Sequence, residues 1–126
     1  MTSLSFDDVL LVPQYSDINS RKMLSTDNKL GDIQLGLPII SSPMDTVTEV
    51  DMTRAMDEHG GLGVIHRYNS PAAQAKLIKR ANLHGLTNIG AAIGVTGDFL
   101  ERAQAVVEEG ATVLCVDVAH GHHSMM

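Results

Sequence analysis

Side chains capable of chemistry gather in four short clusters: Ser41-Ser42-Pro43-Met44-Asp45-Thr46, His66-Arg67-Tyr68-Asn69, Gly94-Val95-Thr96-Gly97, and Asp117 with His120-Gly121-His122-His123. Their hydroxyls, imidazoles, guanidinium and carboxylates offer hydrogen bonds and charge to a polar small molecule. Any one cluster is equally well read as a helix cap or a turn, because Ser, Asp, Asn and Gly close such structures. The four together favour a ligand site, since each follows a short apolar run and polar residues at strand ends share one face of a parallel barrel. His66 and Arg67 carry two readings of equal weight, contact with a ligand or pairing with an Asp or Glu.

Two other chemistries are weaker. Cys115 lies inside the apolar run Val113 to Val116 with no base beside it. Apolar surroundings raise a thiol's pKa and leave it inert, so packing accounts for it better than nucleophilic catalysis. His120, His122 and His123 have the imidazoles that zinc favours, but no second ligand cluster matches them and they sit on a chain end, so no metal is expected.

The apolar runs themselves read as strands at Ile39 to Ser42, Leu62 to Ile65, Ile89 to Ile93 and Thr112 to Val116. They recur roughly every 25 residues, a spacing suited to compact βα units. Helices fill the gaps. Thr48 with Asp51 resembles a capping box and Gly60-Gly61 ends the first helix. Ser70-Pro71 opens the second and Gly85 ends it; Asp98 with Glu101 opens the third and Gly110 ends it. In the third, Leu100, Ala103 and Val107 form an apolar stripe opposite Glu101, Arg102 and Glu108, and that stripe is expected to pack on a sheet.

Strands joined by helices run parallel with right-handed crossovers, which gives an α/β fold class. No Gly-x-Gly-x-x-Gly turn follows a strand, so a dinucleotide-binding Rossmann unit is not supported. A (β/α)8 TIM barrel needs eight units in about 250 residues. Four are legible here, over residues 38–126, and an open doubly wound sheet and a partial barrel both satisfy their order. Residues 1–37 show no sustained period and are read as an N-terminal arm lying over the domain.

Composition bounds the remaining possibilities. With 126 residues, 44% of them hydrophobic, the chain is sized for one domain; at 3% aromatic and without Trp, its core must be Val, Ile, Leu, Ala and Met. A net charge of −6 and scattered Lys and Arg lack the basic patch that nucleic acid requires. No basic start precedes a long apolar run, and nowhere do 18 apolar residues follow one another, so no membrane association is expected. The lone cysteine excludes an internal disulfide, and a cytoplasmic location is the expectation.

The strings SFDDVLLVPQYSDINSR, PIISSPMDTVTE, GGLGVIHRYN, IGAAIGV and VDVAHGH, in that order over nearly the whole chain, resemble the N-terminal half of the IMP dehydrogenase and GMP reductase family. The resemblance implies a (β/α)8 barrel, usually a homotetramer, binding a purine nucleotide monophosphate and NAD or NADP. It places Ser42 and Met44 at the nucleotide, Asp117 at the nicotinamide riboside of the cofactor and Thr96 near its adenosine end. In such enzymes a cysteine on a later loop attacks purine C2 and hydride passes between that carbon and the nicotinamide.

Two features depart from the family pattern. Family dehydrogenases carry a pair of regulatory domains after the second strand, where Ser70 to Leu86 leaves room for one helix. The nucleophile loop, later phosphate loops, monovalent-cation (potassium) site and flap would all lie beyond Met126, so this chain alone is expected not to turn over. The dehydrogenase is the leading expectation, on Ser-Ser-Pro-Met-Asp together with His-Arg-Tyr-Asn. GMP reductase is the alternative, and a non-catalytic half barrel that associates with another chain is the third.

Overall fold

A computed structural model describes residues 4–126. Four strands, β3 (Ile40–Ser41), β4 (Leu62–Ile65), β5 (Gly90–Ile93) and β6 (Val113–Val116), form one sheet in that order. Each neighbouring pair is parallel. The helices α1 (Val50–Glu58), α2 (Pro71–Asn82) and α3 (Phe99–Glu108) form the three crossovers. The expected α/β class with a parallel sheet is therefore observed, with strand bounds shifted by at most one residue.

The register sorts the side chains by face. Ile40 lies beside Leu62, Val64 beside Gly90, and Ala92 beside Cys115. Partners in a parallel ladder point the same way and alternate along each strand. Leu62, Val64 and Ala92 thus form one apolar cluster on the face away from the helices, with Val113 and Cys115 at its margin. Ile65 and Ala91 point oppositely and pack with Val50, Ile78, Ala81 and Val106 of the helices. At Gly63 a Cβ would come within 2.5 Å of Thr53 Cα, so only glycine lets α1 lie this close to β4.

The segment before Leu37 is more ordered than its lack of period implies. β1 (Asn28–Leu30) and β2 (Ile33–Leu35) form an antiparallel hairpin around Gly31, whose φ of 58° suits the tight turn. Leu35 and Ile33 join the Leu62–Val64–Ala92 cluster, seating the hairpin beneath the sheet. Ahead of it, residues 4–27 are exposed, Phe6, Leu10, Leu11 and Tyr15 included.

Three helix expectations are corrected. Thr48 does not cap α1: the residue before that helix is Glu49, which makes no side-chain capping bond. Asp98 stands at the N-cap of α3 with Glu101 in the first turn, as expected, but makes no capping bond and spends its carboxylate on Arg102. On α3 the buried residues are Arg102 and Val106, while Leu100 and Val107 are 71% and 51% exposed. By contrast Ser70 caps α2 as expected, its Oγ accepting the Ala73 N–H with Pro71 in the first turn. No helix among the described residues is long and apolar enough to cross a membrane.

Candidate functional site

Parallel pairing brings four strand ends to one edge of the sheet, so Ser42, His66, Gly94 and Asp117 follow β3, β4, β5 and β6 along a single rim. The Asp117 N–H still donates to Ile93 O at 2.9 Å, which carries the ladder one residue past β6.

At the β3 end the loop is held from below. Thr48 Oγ1 donates to Ser42 O at 2.6 Å and lies 2.9 Å from Ser41 Oγ. A hydroxyl has one proton, so the Ser41 hydroxyl supplies the second bond. Thr48 is fully buried, and Met44 O accepts the N–H groups of Val47 and Thr48. Fixed this way, the loop leaves Ser42 exposed and Met44 half-exposed at the rim.

His66 and Arg67 both pair with carboxylates. His66 is buried; its Nδ1 accepts the Tyr68 N–H at 3.2 Å, so its neutral tautomer carries the proton on Nε2, 3.1 Å from Glu49 Oε1. Arg67 crosses the end of β5 to reach Asp117. Its Nε donates to Asp117 Oδ2 at 3.3 Å and its Nη2 to Asp117 O at 2.9 Å, a grip on side chain and backbone together. A Cβ on Gly94 would sit 3.2 Å from Arg67 Nη1, so a glycine there keeps the crossing open. The Asp117 side chain remains 29% exposed, enough for a ligand to reach it.

A buried polar chain beneath this rim escaped sequence reading. Gln74 has no exposed surface; its Nε2 donates to Ile65 O at 3.2 Å and Ala92 O at 2.9 Å. Its Oε1 accepts from Arg102 Nη1 at 3.0 Å. Arg102, 5% exposed, also donates to Asn69 O at 2.7 Å and to Asp98 Oδ2 at 2.8 Å. Hydrogen bonding from Arg102 holds the Asp98 carboxyl below its ordinary pKa. The four-residue spacing of Asp98 and Arg102 is the one signal in the sequence that points to this chain.

Among the described residues, no side-chain hydrogen bond ties the remaining candidates to these groups. Thr96 is exposed on the Gly94–Gly97 turn. Val95, Val118, His120, His123, Met125 and Met126 line a mainly apolar concavity of about 180 Å³. His120 and His122 meet edge to face with ring centres 6.4 Å apart, and the described residues contain no group of three ligands placed to hold a metal ion. Cys115 is half-buried; burial first, and the Asp117 charge second, push its thiol pKa up, which agrees with a packing role.

Comparison with known proteins gives a consistent picture. The sequence pattern of the IMP dehydrogenase / GMP reductase domain matches residues 3–126. An IMP dehydrogenase of Nitrosopumilus maritimus is 42% identical over 96 residues, which cover 75% of this chain and 20% of that protein. An IMP dehydrogenase of Cryptosporidium parvum is 31% identical over 161 aligned positions, covering 94% and 40%. A GMP reductase of Leishmania donovani is 41% identical over 78 residues, covering 61% and 16%. The chain thus spans less than half the length of these relatives.

Proposed function

The chain belongs to the IMP dehydrogenase / GMP reductase family, and on that premise we propose that it supplies the first four β/α units of a (β/α)8 IMP dehydrogenase. The reaction is oxidation of IMP with NAD and water to XMP and NADH, in a cytoplasmic homotetramer that uses a monovalent cation such as potassium. The observation that carries this reading is the shared rim. Ser42 and Met44 stand at one end of it, and Asp117, gripped by Arg67, stands at the other.

The residues present suit the two ligands. The Ser42 hydroxyl is exposed on a fixed loop and offers a hydrogen bond to the nucleotide, with Met44 as a soft apolar wall beside it. Asp117 accepts from Arg67 through Oδ2, and its Oδ1 would be the acceptor for a ribose hydroxyl of the dinucleotide. Thr96 lies on the neighbouring turn and is assigned to the adenosine end. When bound, the dinucleotide supplies the hydride acceptor; this chain's groups hold and orient the partners, and orientation is a large part of catalysis.

GMP reductase is the second reading. What favours it is that α2 alone fills the connection from β4 to β5, where family dehydrogenases tend to carry inserted domains. Assaying the protein that carries this chain with IMP plus NAD, and separately with GMP plus NADPH, decides between them. NADH formation from IMP is the expected result, and ammonia release from GMP without it reverses the ranking. A third reading, a half barrel completed by another chain, rests on the exposed Leu114 and Val116 of β6 and Ile39 and Ile40 at β3. It predicts that the 126-residue chain associates in sedimentation at micromolar concentration; a stable folded monomer there removes it.

A further inference from the structure

Two separate sets of hydrogen bonds hold the rim. Thr48 fixes the Ser42 end through Ser41 and Ser42. Gln74 and Arg102 fix the other end, and among the described residues none of their bonds reaches Ser42 or Met44.

We propose that Gln74, backed by Arg102, is a positioning residue for the dinucleotide end of the rim, and that Thr48 is its counterpart for the nucleotide end. The proposal rests on assigning Ser42 and Met44 to the nucleotide and Asp117 to the dinucleotide.

The geometry of the Gln74 amide carries the argument. The last ladder pair between β4 and β5 is Ile65 with Ala91. Just past it, Gln74 Nε2 gives both of its hydrogens to carbonyls on the two strands, Ile65 O and Ala92 O. One side-chain amide therefore sets the separation of the strand ends where backbone pairing stops. Ile65 leads directly into His66 and Arg67, and Ala92 leads into Gly94, over which Arg67 must cross to hold Asp117. Arg102 completes the arrangement by donating to Gln74 Oε1 and to the carbonyl of Asn69, in the same loop as Arg67. Gln74 and Arg102 are both almost wholly buried. Truncating either strands polar partners away from water, so the strand ends must shift to find new ones.

Separate binding titrations with IMP and with NAD, on the protein that carries this chain, test the idea. Gln74→Leu is expected to weaken NAD roughly tenfold, the scale of leaving a buried hydrogen-bonding partner unsatisfied, while IMP affinity stays within about twofold. Asp98→Ala removes the half-exposed anchor of Arg102. It is expected to give a smaller shift in the same direction, and it decides the matter if Gln74→Leu does not fold. Thr48→Val should do the reverse, weakening IMP and sparing NAD, with Thr48→Ser restoring wild-type binding. A merely structural role would weaken both ligands together, and that outcome, or unchanged NAD affinity in Asp98→Ala and Gln74→Leu, overturns the proposal. Asp117→Asn separates the two levels. If it leaves NAD affinity unchanged, or the wild type binds neither ligand, the rim assignment fails and the inference falls with it; if it weakens NAD while the Gln74 and Asp98 variants do not, only the inference fails.

Discussion

β5 and β6 are neighbours of similar apolar composition, yet they live in different surroundings. Gly90 to Ile93 are buried throughout, between α2 and α3 on one face and strands on both edges. Val113 to Val116 alternate between half-buried and exposed, with one edge and most of one face open. The same contrast divides the helices, since Ile78 and Ala81 of α2 have no exposed surface while Leu100 and Val107 of α3 face outward. Burial here is decided by which neighbours are present more than by residue type, and the stabilisation a side chain contributes should follow its neighbours as well.

Truncation tests that contrast most strongly. Ile78→Ala empties a fully enclosed position and is expected to cost about 4 kcal/mol in chemical denaturation. Leu100→Ala, on the open side, should stay within about 0.5 kcal/mol. Similar costs at the two positions would mean that the outer face of α3 is covered after all.

The next effect is chemical and lies on the open strand. Because the Cys115 pKa is raised above its ordinary 9.0, alkylation at about pH 8 should run several-fold slower in the folded protein than in denaturant. Its rate should keep climbing with pH past the point at which an ordinary thiol levels off. Equal rates in both states would place Cys115 in free solvent and β6 further from the core than described.

The smallest expected effect concerns Asp98. Its folded pKa lies below the ordinary 3.8, so the stability it contributes is complete above that value and is lost as pH falls through the folded pKa. Asp98→Asn should therefore be less stable than wild type at neutral pH, with the gap closing in acid below about pH 4. A gap that is constant with pH would show that the carboxylate's charge contributes nothing to holding Arg102.

What could be read from the residues follows from how locally each feature is encoded. The four strands were visible as apolar runs, and α2 was visible because Ser70-Pro71 is a signal complete in two residues. Thr48 looked like a cap by spacing alone, and the acceptor that claims its hydroxyl, Ser42 O, becomes a neighbour only once the chain turns back. The α3 face was misassigned because hydrophobicity favoured Leu100 and Val107, whereas Arg102 is buried by partners on another helix and loop. Arg67 and Asp117 are 50 positions apart, and nothing local marks either as the other's partner. The hairpin strands are three residues each, too short to show a period.

The hairpin also gives the inner sheet face a direction. Leu35 and Ile33 press against Leu62, Val64 and Ala92 from the end where the strands begin, like a bung in the neck of a bottle. Only the strand starts are roofed in this way, and the opposite margin, where Ser42, Arg67 and Asp117 stand, is left uncovered by the hairpin.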